Sequence, residues 1–286
     1  MIGFIGQGFI GKHMADDFEA RGYKTVRYAL EEPYCGNKDS ISNCDVVFIA
    51  VPTPTTPKGF DDSLLRGVLP LVGKGKIAVI KSTMIPGTTE ALQDAMPECI
   101  VLHSPEFLRE KQAAEDTAQP ARNIVGIPKK NAKYKRAAEL VLSVLPKAPY
   151  NLVCSAREAE LIKYGGNVFL TLKLIYMNTL FDVATAVGAN YEVVRAAMAA
   201  DARIGAGHTH IIDNSGHKGA KKGRGAGGHC FPKDLAAFSR YYKKHANDPL
   251  GARIFAAVEA KNNALLIASK KDLDLLEGVY GDRLVG

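Results

Sequence analysis

The chain has 286 residues, of which 47% are hydrophobic, and this length suits one or two domains with packed cores. The net charge of +7 favours anionic partners such as phosphates, nucleotides or nucleic acids, although it also simply aids solubility. No run of about 18 uninterrupted apolar residues occurs, and the chain opens directly on an apolar strand pattern. A membrane span and a signal peptide are therefore not expected, and we predict a cytoplasmic protein.

Short apolar runs alternate with stretches of helical periodicity through the first half of the chain. The predicted strands span residues 2–5, 24–30, 46–51, 77–80, 100–102, 124–127 and 150–154. The predicted helices span residues 9–20, 62–71, 88–96 and 132–145. Strands that alternate with helices predict an α/β domain of Rossmann type, a doubly wound parallel sheet covered on both faces, which we place at residues 1–153.

After residue 154 the pattern becomes helical. Apolar spacing predicts one long helix over residues 158–187 and shorter helices over 191–200, 234–245 and 253–269. We therefore predict a second, all-helical domain at residues 154–286, built on the long central helix. The apolar stripe of that helix predicts a homodimer, and the glycine- and lysine-rich residues 215–228 are expected to form a loop.

The sequence GQGFIG follows the first predicted strand and opens the first helix. In this context Gly6, Gly8 and Gly11 match the dinucleotide-binding fingerprint, in which glycines allow a tight turn and a close approach of the pyrophosphate. Phe9 and Ile10 belong to the same turn, so we expect them to contact the cofactor as well. An ordinary glycine-rich turn is the alternative.

The ligand of the adenosine ribose has a weaker signal. The second predicted strand ends without an acidic residue, and Glu31 and Glu32 follow it. We take Glu31 as the ribose ligand, which favours NAD, whereas Arg27 leaves binding of the 2′-phosphate of NADP open.

Two more loops follow predicted strands and are expected to border the cofactor, because ligands of open parallel sheets bind beyond the carboxyl ends of strands. The first loop contains Pro52 and Thr53, and the second contains Ser82 and Thr83. Ordinary strand-to-helix turns, in which proline, serine and threonine serve as caps, are the alternative interpretation.

Two donor side chains lie four residues apart on the long helix. Lys163 and Asn167 share one helix face, so an ammonium and an amide could together stabilise an oxyanion. A solvated helix face would give the same pattern.

The most unusual segment is the sequence GRGAGGHCFPKD at residues 223–234. Its glycines allow the backbone to approach a ligand, and Pro232 suits the first turn of a following helix. Cys230 therefore lies near a helix N-terminus beside Lys233, and both features favour a nucleophilic thiolate over a buried structural cysteine.

Metal and disulfide chemistry are not expected. The five cysteines include no CxxC pair, which argues against a disulfide framework or a thiolate zinc site. His208 and His210 are closely spaced, but no cluster of carboxylates or cysteines accompanies them, so we predict no metal site.

Together these segments resemble the UDP-glucose/GDP-mannose dehydrogenase family. The matching sequences are GQGFIG, VPTPT, STMIPGT, SPEFLRE, AELIKYGGN, DARIG and GRGAGGHCFPKD, in this order over roughly residues 1–265. The resemblance implies that NAD accepts a hydride twice from C6 of a nucleotide sugar, which turns the alcohol into an aldehyde and then a carboxylate. It also implies a thiohemiacetal and a thioester on Cys230.

The resemblance implies further roles for the matching residues. Lys163 and Asn167 would hold the developing oxyanion, and Asp234 would act as a base or position water. Thr83 would help to hold that water, and Glu106 would assist hydrolysis. The residues implied to line the sugar-nucleotide site are Phe107, Leu108, Arg109, Lys163, Arg203 and Gly227. In some family members the equivalent of Arg203 reaches the substrate across a dimer interface.

The chain also departs from the family pattern. It ends before the C-terminal nucleotide-binding domain that members usually have, Lys111 replaces a glycine and Thr179 replaces a glutamate. The stretch from residue 203 to residue 223 is unusually long and basic. We expect the three lysines of this stretch, together with the arginine that follows it, to supply positive charge for a substrate diphosphate. These residues are Lys218, Lys221, Lys222 and Arg224.

Two other functions remain open at this point. A two-domain hydroxyacid-type dehydrogenase would have a similar architecture but would not need Cys230. A non-catalytic nucleotide-binding protein would retain the Rossmann half alone. The basic loop at residues 215–228 has no Phe, Tyr or Trp that could stack on bases, so no nucleic-acid partner is expected.

Overall fold

The computed structural model describes residues 1–217 and 219–281. They form two compact units. The first contains Met1–Pro54 and Asp61–Lys163, and the second contains Thr55–Phe60 and the described residues from Tyr164 onward. The division therefore falls at Lys163, whereas the sequence placed it at residues 153 and 154.

The strands and helices of the described residues are numbered in chain order. The strands are β1 Ile2–Ile5, β2 Thr25–Tyr28, β3 Val46–Ile49, β4 Thr55–Thr56, β5 Gly59–Phe60, β6 Ile77–Ile80, β7 Ile100–His103, β8 Arg122–Ile127 and β9 Tyr150–Ser155. The helices are α1 Phe9–Ala20, α2 Ser63–Val68, α3 Thr88–Ala95, α4 Ala113–Ala118, α5 Ala132–Val144, α6 Ala156–Ala186, α7 Tyr191–Ala199, α8 Phe231–His245, α9 Pro249–Ser269 and α10 Leu273–Tyr280. Short 3-10 helices cover Cys35–Asn43, Leu69–Leu71 and Glu110–Gln112.

The first unit is built on a seven-stranded sheet in the order β2-β1-β3-β6-β7-β8-β9. The chain moves outward from β1 to β2 on one side and from β3 to β6 on the other, which is the doubly wound order of the predicted Rossmann fold. The first five of these strands are mutually parallel. The predicted fold class is therefore confirmed.

One detail of the predicted sheet is wrong. Strand β8 pairs with β7 in the antiparallel direction, at His103 and Gly126, and β9 runs parallel to β8. These two strands therefore run against the other five. An apolar run is equally apolar in either direction, so the pattern that located β8 could not give its orientation.

The core of the first unit lies between the sheet and its helices. All four residues of β1, β3 and β6 are buried, as expected for strands covered on both faces. The rings of Phe4, Phe18 and Phe48 pack together at centroid separations of 5.3 to 5.5 Å. This cluster joins β1 and β3 to α1 and so supports the turn that precedes α1.

The 31-residue helix α6 contributes residues to both units. By length and composition alone it could cross a membrane, and 39% of its most apolar window is buried inside the structure. A core helix packed inside a protein has the same composition, so this one helix does not indicate a membrane span.

Among the described residues, the second unit contains five of the helices in whole or in part, one short hairpin, and an isolated bridge between Asp213 and Gly223. Strands β4 and β5 pair in the antiparallel direction, and Arg240 Nη1 on α8 donates a hydrogen bond of 2.6 Å to Thr56 O on β4. The hairpin comes from the first half of the sequence, and its strands of two residues each are too short to give an apolar pattern.

Candidate active site

The predicted dinucleotide turn connects β1 to α1. Gly6 has φ +89°, and a Cβ atom there or at Gly11 would collide with backbone oxygens of Ala50 or Gly6. At Gly8, by contrast, a Cβ would meet no heavy atom within 4 Å, so the space above its backbone is open. No side chain caps the N-terminus of α1, which leaves its amides available to a phosphate. The turn therefore fits the pyrophosphate of a dinucleotide.

The two other predicted cofactor loops are hydrogen-bonded to each other. Thr53 Oγ1 donates to Thr83 O at 2.7 Å, and Ser82 Oγ donates to Val51 O at 2.6 Å. Both loops follow strands at the carboxyl edge of the sheet, the same edge as the glycine turn, while Pro52 is exposed. The structure thus places these predicted residues at one edge of the sheet, beyond the carboxyl ends of β3 and β6.

Arg27 is unsuited to binding a 2′-phosphate. Its guanidinium is about 10% exposed and forms ion pairs with Asp16 at 2.7 Å and Glu19 at 2.6 Å. Beyond β2, Glu31 is exposed, whereas the carboxylate of Glu32 accepts a hydrogen bond from Cys35 Sγ. The open carboxylate is therefore Glu31, the residue predicted to bind the ribose.

Glu106 and Lys163 form a buried ion pair in the first unit. Lys163 Nζ lies 2.6 Å from Glu106 Oε1 and also donates to Glu106 O at 2.8 Å. The second carboxylate oxygen accepts from Leu108 N at 2.7 Å. Burial raises the pKa of Glu106, but Lys163 and the Leu108 amide outweigh it, so the pKa lies below its usual value. Glu106 is thus held as a carboxylate.

Lys81, at the end of β6, is a residue that sequence reasoning missed. It is buried, and its ammonium donates to Ser104 Oγ at 3.1 Å and to Pro105 O at 3.3 Å. Burial lowers its pKa to about 8, against the opposing effect of Glu106. The sequence signal that could have revealed it is a lysine directly after an apolar run and directly before Ser82. A buried lysine with a perturbed pKa is a candidate functional residue.

The predicted substrate residues Phe107 and Arg109 have different environments. The Phe107 ring lies close to two cations, with Arg122 Cζ at 3.9 Å and Lys163 Nζ at 5.7 Å from its centroid. Arg109 is exposed, but its backbone and guanidinium donate to Asp116. Phe107 is therefore fixed, whereas Arg109 would have to leave Asp116 to contact a substrate.

Cys230 lies in the second unit, directly before the first residue of α8, and its side chain is exposed. Pro232 occupies the first turn of this helix, as predicted. Asp234 is fully buried in the same turn. Its two carboxylate oxygens accept from Asn167 Nδ2 at 2.6 Å and from Lys233 Nζ at 2.5 Å. Lys233, which we expected beside the thiol, is therefore paired with Asp234.

Arg203 is exposed in the turn after α7, where it pairs with Asp201 of its own chain at 2.6 Å. The turn itself is held by Lys173 Nζ, which donates to Ile204 O at 2.7 Å and to Gly205 O at 3.1 Å. The guanidinium thus faces solvent on an anchored turn. Because exposed ion pairs are weak, Arg203 could exchange Asp201 for another anion.

The predicted catalytic residues thus form two groups. Glu106 and Lys163 lie with Thr83 in the first unit, and Cys230, Asn167 and Asp234 lie in the second. Helix α6 supplies Lys163 to one group and Asn167 to the other. Over residues 1–217 and 219–281, no group of three or more histidine, cysteine or acidic side chains is placed to hold a metal ion.

Two family models match the chain. The NAD binding domain of the UDP-glucose/GDP-mannose dehydrogenase family matches residues 34–143, and the central domain of the same family matches residues 157–264. The chain belongs to the UDP-glucose/GDP-mannose dehydrogenase family. The matched NAD binding domain also confirms NAD as the predicted cofactor.

Relatives named UDP-glucose 6-dehydrogenase are similar over most of the chain. One from Pseudomonas aeruginosa is 33% identical over 268 residues, which cover 86% of this chain and 55% of the relative. One from Rhizobium meliloti is 32% identical over 221 residues, covering 73% of this chain and 48% of the relative. The chain thus spans about half the length of these curated relatives. A solved UDP-glucose dehydrogenase from Pyrobaculum islandicum superposes with TM-score 0.77 at 28% identity, covering 93% of this chain and 69% of that one.

The structure corrects one expected role in the basic loop at residues 215–228, that of Arg224. The Arg224 guanidinium donates to Asn178 Oδ1 at 2.8 Å and to Asp182 Oδ1 at 2.6 Å, so it is already engaged. Lys221 and Lys222 are exposed, whereas Lys218 lies outside the described residues. Of the two replaced residues, Lys111 is exposed, and the Thr179 hydroxyl donates within α6 to Ile175 O.

Proposed function

We propose that the protein oxidises the C6 primary alcohol of a nucleotide sugar, of the UDP-glucose type, to the carboxylate with two molecules of NAD. The observation that carries this proposal is an exposed Cys230 at the start of α8, one helical turn from the buried Asp234 that Asn167 holds. It occurs in a chain with the NAD binding and central domains of a nucleotide-sugar dehydrogenase family.

The overall reaction consumes one alcohol, two NAD⁺ and one water, and it yields one carboxylate, two NADH and three protons. NAD held at the glycine turn would accept the hydride that leaves C6 in each oxidation. Between the two oxidations the Cys230 thiolate adds to the aldehyde carbon and forms a thiohemiacetal. Loss of the second hydride gives a thioester, and water then cleaves its carbon–sulfur bond and restores the thiol.

Each residue of the two groups has a proposed role in these steps. Asp234 takes the proton of the reacting hydroxyl or water, because a carboxylate fixed by two donors keeps its position through the cycle. Lys163 and Asn167 stabilise the oxyanion that forms at C6. Thr83 and Glu106 position and activate the water that hydrolyses the thioester.

The substrate contacts are proposed from the same family motifs. Phe107 and Leu108 would line the sugar-nucleotide site, and Gly227 would allow the backbone to approach it. Arg109 and Arg203, whose side chains are exposed, would exchange their carboxylate partners for substrate. We also propose that the protein acts in the cytoplasm as a homodimer.

The deciding experiment supplies the sugar aldehyde directly and follows NADH. Cys230→Ser should bind NAD normally, because the glycine turn is unchanged, and should oxidise the aldehyde at least about a hundredfold more slowly, since a hydroxyl is a far weaker nucleophile than a thiolate. Cys35→Ser is the matched control and should behave as the wild type. If the Cys230 variant turns the aldehyde over at the wild-type rate, the thioester mechanism is wrong. The result would then favour a hydroxyacid-type dehydrogenase.

A panel of nucleotide sugars identifies the substrate and tests the remaining alternative. The proposal expects stoichiometric formation of two NADH per sugar with at least one UDP- or GDP-linked hexose. A protein that binds these compounds, as measured by calorimetry, but produces no NADH from any of them would be a non-catalytic nucleotide-binding protein.

A further inference from the structure

Asp272 lies between α9 and α10, at the N-cap position of α10 and outside every motif assigned above, yet its carboxylate is almost fully buried, with 1% of the side chain exposed. One oxygen accepts from Gly228 N at 2.7 Å and from the Ser215 hydroxyl. The other lies 3.0 Å from His217 Nε2. A buried carboxylate with three partners represents a substantial desolvation cost, which is recovered only if all three contacts form. The proposed chemistry does not use this residue.

Neighbouring residues of the same segment bind the rest of the glycine-rich loop at residues 223–228. Asn262 accepts from Ala226 N at 2.7 Å and donates to Ala226 O at 3.0 Å. Ser269 Oγ accepts from Arg224 N at 2.9 Å, and Lys271 Nζ donates to Gly225 O at 2.9 Å. Residues 262–272 thus bind several backbone groups of the loop that leads to Cys230, and these contacts hold the loop in place.

The segment accepts unfavourable backbone geometry to make these contacts. Lys270 and Asp272 have φ of 51° and 53°, which lie in the left-handed region that is unfavourable for non-glycine residues. A Cβ atom at Gly227 would collide with the Asp272 carboxylate, so the glycine at this position is required by the close approach of Asp272. Strain of this kind persists where the surrounding contacts over-determine the position, and it is frequent at functional sites.

The charges that face Asp272 are compatible with a carboxylate. Burial raises its pKa, but hydrogen bonds from Ser215, Gly228 and His217 outweigh it, so the pKa lies below the usual value. Lys271 is the adjacent buried cation. His217 also packs its ring against that of His229, at a centroid separation of 5.2 Å, and His229 directly precedes Cys230. The contacts of Asp272 therefore reach the residues on the N-terminal side of the thiol.

We propose that Asp272 is a positioning residue for Cys230, which fixes the loop at residues 223–229 through Gly228 and His217 and so presents the thiol in one place at the start of α8. The positioning role rests on the proposed function of Cys230, while the fixing of the loop does not. Asp272 makes no contact with substrate in this proposal and acts through the loop alone.

The test compares Asp272→Ala and Asp272→Asn with the matched control Asp274→Ala, an exposed aspartate in the first turn of α10. Hydrogen exchange of residues 223–229 should rise about ten- to a hundredfold in Asp272→Ala, because a charge-assisted hydrogen bond to a buried amide is lost. Asp272→Asn should show a smaller rise, since its amide oxygen can still accept from Gly228 N. The control should exchange as the wild type does. The same exchange in Asp272→Ala as in Asp274→Ala would overturn the proposal.

A second readout follows Cys230 itself by peptide mass spectrometry after treatment with iodoacetamide. The alkylation rate of Cys230 should change by about tenfold in Asp272→Ala, while that of Cys35 stays constant and the affinity for NAD is unchanged. Oxidation of supplied aldehyde should fall in kcat with little change in the KM for NAD. Unchanged alkylation and kcat would overturn the positioning role. If Cys230→Ser stays active while Asp272→Ala loosens the loop, the proposed chemistry fails and the fixing of the loop stands.

Discussion

Asn167 Nδ2 donates a hydrogen bond of 2.6 Å to Oδ2 of Asp234, and this bond joins α6 to the first turn of α8. Asp234 is completely buried, and Lys233 Nζ occupies its other oxygen at 2.5 Å. The carboxylate is therefore fixed from two sides. An amide nitrogen carries two hydrogens, so Asn167 can hold Asp234 with one and offer the other to an oxyanion.

Asn167→Asp should make the activity strongly dependent on pH. The introduced carboxylate would lie within hydrogen-bond distance of Asp234. When both are ionised, as is favoured at pH 8, they repel each other, and kcat should fall by roughly a hundredfold. Lower pH allows the pair to share a proton, which restores a donor and should narrow the deficit. Pre-steady-state and steady-state rates between pH 6 and 9 measure this. Asn167→Ala removes the donor without adding a charge, so its deficit should be constant over that range, and identical profiles would contradict the expectation.

Glu160 should make stability fall as the pH rises toward neutrality. Burial raises the pKa of Glu160 to about 7, although it accepts bonds from Gly87 N and from Thr89. The folded value lies above the reference of 4.5, so its stabilising contribution is complete below about pH 4.5 and is lost by about pH 7. The loss amounts to at most about 3 kcal/mol.

Urea unfolding of the wild type and Glu160→Gln at pH 5 and pH 8 tests the effect of Glu160, because only the wild type should lose this contribution between the two values. The control is Glu158→Gln on the same helix. Hydrogen bonds from Ser155 lower the pKa of Glu158, so it titrates below the range of the experiment. If the free energy of unfolding changes equally between pH 5 and pH 8 in the wild type and in Glu160→Gln, Glu160 does not titrate as expected.

Glu31 should bind the adenosine ribose, and Glu32 should not. Glu31→Gln is expected to weaken NAD binding about fivefold, the effect of one exposed charge-assisted hydrogen bond, and to reduce the preference for NAD over NADP. Glu32→Gln is the matched control, because its carboxylate accepts from Cys35. Fluorescence titration with both cofactors gives the affinities. A larger effect at Glu32 would transfer the role to that residue.

The basic loop should contribute to substrate affinity through its exposed lysines only. Neutralising Lys221 and Lys222 together should raise the substrate KM about threefold and flatten its dependence on ionic strength. The adjacent exposed pair Lys243 and Lys244 on α8 provides a control of equal charge. Arg224→Gln should instead lower the melting temperature, because it breaks the contacts with Asp182 and Asn178. If the substrate KM and its dependence on ionic strength are unchanged, the two lysines do not contribute to substrate binding and are simply solvated.

The homodimer should depend on the exposed stripe of α6. Phe169, Tyr176 and Val183 are spaced seven residues apart on one helix face, with 64%, 58% and 54% exposure. Replacing Phe169 and Tyr176 by glutamate should give a monomer in sedimentation at micromolar concentration, since two charges would have to be buried in the interface. Val193→Glu, an equally exposed apolar residue on α7, should remain dimeric. A monomeric wild type would refute the stripe as an interface.

The sheet and the glycine turn were predictable because their signals are local. A strand, a turn and a helix are each coded within a few residues, so the positions of Gly6, Gly11 and β1 followed from the pattern. The direction of β8 was not coded in this way, because an apolar run carries no polarity. The hairpin of β4 and β5 was missed since its strands have two residues each.

The chemistry of the site was predictable by residue type but not by partner. The pairing of Lys163 with Glu106 joins residues 57 positions apart, and that of Arg224 with Asp182 joins residues 42 apart. Spacing in the sequence predicts neighbours only within one helix or strand. The same limit concealed Asp272, whose contact with Gly228 spans 44 positions.

The assignment of Thr55–Phe60 to the second unit interleaves the two units along the chain. The polypeptide leaves the first unit after Pro54, re-enters it at Asp61 and leaves it again after Lys163. A single proteolytic cut near residue 163 therefore cannot release the second unit complete, because the strand that Arg240 binds through Thr56 O would stay with the other fragment. For the same reason, a gene split at this position would yield an N-terminal product that carries the hairpin of the second unit in addition to the whole first unit, and a C-terminal product that lacks this hairpin.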